Sequence, residues 1–140
     1  MNNTLIHVTS VELSKILLAM GISTTATHWW RISSIGVDKV VHYELRTDIQ
    51  KLSSVAEEPI PAYLTDEMLV ILPRTITEDN EGIYELLINT GNAGDKGTYW
   101  YPEYRSWTSV MWEDNLKMYE TSLPNALAKT ALYLKKKELL

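Results

Sequence analysis

Three histidines, His7, His28 and His42, are the first side chains of this 140-residue chain to test for chemistry, since imidazole serves as metal ligand and as general base. They are widely separated and lack the HExxH and facial-triad spacings that bring ligands to one ion, so no metal site is expected. His28 and His42 are expected to be half-buried sheet residues, placed to face each other across a hairpin. Adjacent acids occur at Glu57–Glu58, Asp66–Glu67, Glu78–Asp79 and Glu113–Asp114. Glycoside hydrolysis needs two carboxylates facing each other across a cleft, and neighbours on one loop do not supply that. These pairs suit helix starts and polar turns. A serine nucleophile needs an elbow such as GxSxG with a placed base, and neither occurs. The glycine loop "GNAGDKGT" lacks GxxxxGK[ST] spacing and lies between two expected strands, so it reads as a hairpin turn.

The segment "GTYWYPEYRSWTSVMW", Gly97 to Trp112, is the remaining candidate, with six of the chain's thirteen aromatic residues. Strand alternation sets Tyr99 and Tyr101 opposite Trp100, and sets Trp107 and Met111 opposite Val110 and Trp112, so one core cannot take them all. A sheet covered on both sides absorbs the whole set as core. Exposed instead, Trp100, Tyr104, Arg105, Trp107 and Trp112 are candidate binding residues, of types that anchor protein interfaces. A protein partner or self-association is therefore the leading expectation. Flat aromatics also stack on sugars and unpaired bases, which makes a small ligand-binding module for carbohydrate or single-stranded nucleic acid, using residues 99–112, the alternative. Glu103, Glu113 and Asp114 weaken the nucleic-acid version.

Composition narrows the classes further. Thirteen basic against eighteen acidic side chains give a net charge of −5, which repels a phosphate backbone and disfavours general nucleic-acid binding. The absence of cysteine removes disulfides, thiol nucleophiles and thiolate metal sites. The opening "MNNTLIHVTS" lacks the features of a signal peptide and no apolar run reaches bilayer length, so a cytoplasmic protein with no membrane association is expected. No cofactor is expected, and a non-enzymatic protein is favoured because no catalytic motif is found. There is no Phe, so five Trp and eight Tyr carry the large aromatic volume of the core.

Several elements must position these residues. In "VTSVELSKILLAMGI", Thr9 and Glu12 stand at capping-box spacing, with Val8 and Leu13 as a hydrophobic staple. Leu13, Ile16, Leu17 and Met20 form an apolar stripe, and Gly21 offers the left-handed residue of a Schellman ending in which Ile22 meets Leu17. A helix is predicted over about 10–20. "THWWRIS" and "VVHYELR" read as a hairpin around Gly36, with Val41, Tyr43 and Leu45 facing inward and His42, Glu44 and Arg46 outward. Residues 47–58 read as a polar connection. A second helix is predicted with Thr65 as N-cap, Leu64 and Leu69 as staple and a stop at Pro73. "GIYELLIN" is a strand with Tyr84, Leu86 and Ile88 on one face, and the aromatic stretch follows as one or two strands interrupted at Pro102. "SLPNALAKTALYLKKKELL" is a helix opened by Ser122 and Pro124, with Leu123, Leu127, Ala131 and Leu134 as its stripe and Lys135–Lys137 as its solvated end. The expected fold is one α+β domain over residues 1–140, about three helices packed on a mostly antiparallel sheet of four to five strands.

The order of the "VTSVELSKILLAMGI" helix, the "HWW" strand, the proline-led "IPAYLTDEMLVILP" helix, the "YELLI" strand and the closing "ALAKTALYLKKKEL" helix resembles small uncharacterised proteins of phages and prophages from gut bacteria. The likeness spans most of the chain. It implies an α+β accessory protein and carries no catalytic residues with it. The chain departs from that pattern in having no Phe, in Ile22 where an aromatic would follow Gly21, and in its Trp-dense segment.

Because no ligand cluster is read, the thermal midpoint is expected to be the same with and without a strong chelator. Differential scanning calorimetry checks this, and a large drop with chelator would overturn the reading of the histidines.

Overall fold

The computed structural model describes residues 7–47, 59–78, 82–92, 94–106 and 120–140. In chain order these form α1 (Val11–Ala19), β1 (His28–Ile35), β2 (Val41–Arg46), β3 (Ile60–Ala62), α2 (Thr65–Ile71), β4 (Thr75–Glu78), β5 (Gly82–Asn92), β6 (Thr98–Arg105) and α3 (Leu123–Lys136). The class is α+β with three helices among the described residues, as expected. Among the described residues the strands number six rather than four or five, and they divide into two antiparallel sheets, ordered β2-β1-β3 and β4-β5-β6. β3 and β4 escaped the sequence reading because each is short and proline-flanked or proline-containing. Pro61 is tolerated because β3 is an edge strand, where a missing N–H breaks no ladder bond.

Both helix starts move by one residue from the expected caps. In α1 the N-cap is Ser10, whose Oγ accepts from the Leu13 N–H at 3.3 Å. Thr9 is thereby the preceding residue, and the two staple positions hold Thr9 and Ser14, whose buried hydroxyls bond each other at 2.7 Å. A polar pair takes the place of the expected Val8–Leu13 contact because Thr9 is bonded from three directions. Its N–H donates to the Tyr63 carbonyl (2.9 Å), its Oγ1 accepts from the Tyr63 N–H (3.0 Å), and its carbonyl accepts from Trp30 Nε1 (2.9 Å). The helix end follows expectation. Gly21 has φ 72°, the Ile22 N–H reaches the Leu17 carbonyl at 3.0 Å and the Gly21 N–H reaches that of Leu18 at 3.1 Å, which is the Schellman bond pair.

For α2 the N-cap is Leu64 rather than Thr65, and the Glu67 carboxylate accepts from the Leu64 N–H at 2.9 Å. The staple moves with it: Tyr63 and Met68, both buried, occupy those positions, while Leu69 faces outward. Pro73 ends the helix as predicted. α3 begins at Ser122, whose Oγ accepts from the Asn125 N–H at 3.5 Å. It buries more than a stripe: Ala126, Leu127, Ala128, Thr130, Ala131 and Leu134 are all fully enclosed. The alanines let backbones approach closely, and α1, α2 and β6 all pack on α3. The three lysines sit at its end, Lys136 and Lys137 solvated.

The first hairpin matches its predicted strands. Tyr43 and Leu45 join Val8, Trp30, Ala62 and Ile60 in one apolar cluster under α1, and Glu44 on the wet side lies between Arg31 (3.6 Å) and Arg46 (3.3 Å). Gly36 lies in the turn as expected, its N–H donating to the Val40 carbonyl at 2.9 Å, with Lys39 as the left-handed residue at φ 66°. Two details differ. Val41, expected to face inward, is 38% exposed at the turn end of β2. His42 pairs with Ser34 and His28 with Ala62 of β3, so the two histidines lie six positions apart along β1, about 20 Å, and do not face each other. The larger cluster gathers Leu17, Ile22, Tyr63, Met68, Leu72, Ile76, Tyr84, Tyr104 and the buried face of α3. The connection expected at 47–58 lies, from 48 onward, outside the described residues.

Leu17→Ala and Leu127→Ala each truncate a fully buried side chain, and denaturant melts are expected to show losses of about 2–5 kcal/mol for each. Thr9→Val keeps the volume and removes the hydroxyl that the Tyr63 N–H and Ser14 use, for an expected loss of about 1–3 kcal/mol. Losses below roughly 1 kcal/mol at all three sites would show that this core is wrongly assigned.

Candidate functional site

The aromatic segment enters the second sheet as β6, and β6 runs unbroken through Pro102 instead of stopping there. The reason lies in the ladder. Trp100 exchanges two main-chain bonds with Glu120 on the side away from β5 (2.7 and 3.0 Å), and alternation turns the nitrogen of residue 102 to that same side. Proline therefore costs the β5–β6 ladder nothing. Glu120 in turn is ion-paired to Lys129 of α3, which ties this edge of the sheet to the helix.

Alternation divides the segment as anticipated, but with different residues outward. Trp100, Pro102 and Tyr104 share the side that carries Tyr84, Leu86 and Ile76, which is the side turned to the core. Tyr104 is fully enclosed. Its hydroxyl donates to the Pro73 carbonyl at 2.6 Å, and burial holds its phenol well above the ordinary tyrosine range. Tyr104 thus serves as core and lies apart from the surface on which Arg105 is exposed. Trp100 is partly buried. Tyr63, the other enclosed tyrosine, is also raised, chiefly by burial, although its hydroxyl accepts from the Thr24 N–H at 3.4 Å. Trp107 and Trp112 lie outside the described residues.

The opposite side of the sheet carries Tyr99, Tyr101, Glu103 and Arg105 from β6 against Gly91, Asn89, Leu87 and Glu85 of β5. The Tyr99 and Tyr101 rings lie 5.8 Å apart, tilted by 33°. Tyr99 can lie flat over its partner because that partner is glycine. A Cβ on Gly91 would come within 2.4 Å of the Tyr99 ring. Beside them Glu103, only 5% exposed, accepts from Asn89 Nδ2 at 2.9 Å and pairs with Arg105 at 3.3 Å. Leu87 and Ile83 are exposed on the same side, the latter at 61%. The result is an outward face of two tyrosines and two aliphatics around a fixed Asn–Glu–Arg chain.

A second feature lies at the far edge of the sheet. α2, Arg74 and β5 enclose a groove of about 400 Å³ lined by Leu69, Leu72, Arg74, Leu86, Leu87 and Ile88. Apart from the apolar run of β5 it has no signature in the residue order, because it forms where β4 ends and leaves β5 beside α2. No group of three or more metal-ligating side chains occurs among the described residues, and no helix among them is long and apolar enough to cross a membrane. Comparison with protein-family models, curated proteins and solved structures finds no match to this chain.

Gly91→Ala is expected to push the Tyr99 ring off the strand and away from Tyr101, with a stability change within about 1 kcal/mol because a surface ring can swing aside. The NMR shifts of the Tyr99 and Tyr101 ring protons report the displacement. Unchanged ring signals would show that the glycine has no part in seating Tyr99.

Proposed function

We propose that this chain is a phage- or prophage-related accessory protein acting as a non-enzymatic protein-interaction module, and that the outer face of the β4-β5-β6 sheet is its principal contact surface. The observation that carries this reading is the grouping of half-buried Tyr99 and Tyr101 with exposed Leu87, Ile83 and Arg105 on one side of the sheet. Tyr and Arg are the residue types most often found as interface anchors. Both give large contact area, and a tyrosine ring, with two χ angles, loses little rotamer freedom on binding. The Asn89–Glu103–Arg105 chain holds Arg105 in place in advance, which lowers the ordering cost of a contact.

The carbohydrate and single-strand alternatives fit the same face less well. A sugar site needs polar groups turned outward beside the rings, whereas Asn89 and Glu103 bond each other and Glu103 is enclosed. A carboxylate next to the rings, in a chain of net charge −5, opposes a phosphate backbone.

The test is affinity capture from a lysate of the native host, with the parent chain and the Tyr99→Ser/Tyr101→Ser double variant compared by mass spectrometry. A defined set of proteins is expected to be retained by the parent and lost with the double variant, whose melting midpoint stays within a few degrees of the parent. Capture that survives the double variant undiminished would remove this face from the contact.

A further inference from the structure

The two edges of the second sheet are treated differently. On the β6 side the main chain of Trp100 is paired with Glu120, and Pro102 stands at the next outward position, so that edge accepts no further strand. On the β5 side, β4 pairs only with Gly82–Glu85, and the last bond across is the Leu86 N–H to the Arg74 carbonyl at 3.0 Å. That bond fixes the alternation. Even-numbered residues of β5 turn their main chain toward the β4 side, while Leu87 and Asn89 turn theirs to Glu103 and Tyr101. Ile88 and Thr90 therefore present N–H and C=O groups to a side where no strand pairs them among the described residues.

The groove opens along this same edge. Leu69 of α2 and Leu72 just after it form one wall and Leu86 and Ile88 the other, while Leu87 (41% exposed) stands on the opposite side of the strand. A strand laid beside Ile88 and Thr90 places alternate side chains into the groove and the others next to Leu87. Arg74 stands at the groove, exposed, and makes no ion pair among the described residues.

The geometry points to strand addition at this edge: an extended segment of a partner protein, with alternating apolar side chains and one carboxylate, pairs with the main chain of Ile88 and Thr90, seats its apolar side chains against Leu69, Leu72 and Leu86, and meets Arg74 with its acid. The inference rests on the interaction-module reading and adds to it a second contact with its own partner chemistry. A second copy of this chain is the poorer occupant. Ile88 to Asn92 contains no acid, so edge-to-edge pairing of two copies leaves both Arg74 guanidiniums unmatched, and each copy carries a net charge of −5.

Selection of short randomised peptides displayed on yeast, panned against the full chain, tests the proposal. Enrichment of alternating apolar residues with one Asp or Glu is expected. For the selected peptides, fluorescence anisotropy is expected to show binding weakened about tenfold or more by Arg74→Glu, with affinity returned when the peptide acid is exchanged for Lys. Thr90→Pro removes only an outward N–H, so the chain keeps its melt while binding is lost. Hydrogen exchange of the Ile88 and Thr90 amides slows on adding peptide. The Tyr99→Ser/Tyr101→Ser variant binds these peptides like the parent, which separates failure here from failure of the outer-face contact. Absence of enrichment, or peptides whose binding survives both Arg74→Glu and Thr90→Pro, overturns the inference. A concentration-dependent dimer in sedimentation that Thr90→Pro abolishes assigns the edge to a second copy and overturns it equally.

Discussion

Thr9 is the point at which the first sheet, α1 and the chain leading into α2 are held to one geometry. Its N–H, carbonyl and hydroxyl bond Tyr63 ahead of α2, Trp30 of β1 and Ser14 of α1, all of them buried. A polar group taken out of water costs free energy unless it is bonded, and in a low-dielectric interior each bond is correspondingly stronger. The hydroxyl count closes without remainder. Thr9 donates to Ser14, Ser14 donates to the Thr9 carbonyl at 3.3 Å, and the Tyr63 N–H donates to Thr9. The two apolar clusters meet here, since Trp30 belongs to one and Tyr63 to the other. One residue later, the Ser10 N–H donates to Asn125 Oδ1 at 2.8 Å and sets the start of α3 against the start of α1.

From that anchor the distribution of covered and open surface follows. α3 is the packing centre, and its alanines bring α1, α2 and β6 close on its different sides. The inner side of β4-β5-β6 is closed by Tyr84, Ile76 and Tyr104 packing into the α3 cluster. The helices are engaged on that inner side, and α2 lies beside β5 across the groove. The face with half-buried Tyr99 and Tyr101 and the main chain at Ile88 and Thr90, which no strand pairs among the described residues, are therefore two results of one arrangement. Neither arises from a local defect in the sheet.

The two edges of that sheet differ in how open they are to a further strand. An exposed strand edge invites unintended pairing, and the β6 edge is blocked by a bridge to Glu120 and by a proline. The β5 edge carries no such device at Ile88 and Thr90. Among the described residues, the wall of α2 and the positive charge of Arg74 stand beside it.

The sequence by itself determined the features that depend on a few neighbouring residues: the α+β class, the Schellman ending at Gly21, the stop at Pro73, the β1–β2 and β5–β6 hairpins and the Ser122 start of α3. Each of these is set by steric limits or hydrogen bonds spanning about a turn, so residue type and spacing suffice. It also showed that Tyr99, Trp100 and Tyr101 must be split between two faces. What only the tertiary structure decided is which alternative won where two were locally equal. Thr9 and Ser10 are both sound caps, and the choice fell to Ser10 because Trp30 and Tyr63, 21 and 54 residues away, engage Thr9. Thr65 lost the second cap because Tyr63 and Met68 are drawn together into the core. Pro102 reads as a strand break until the bridge to Glu120 shows that its nitrogen points away from the ladder. The groove at Arg74 has no local signature at all, since it is the space left where β4 ends beside a longer β5, and strand pairing over distance is not written in the spacing of either strand.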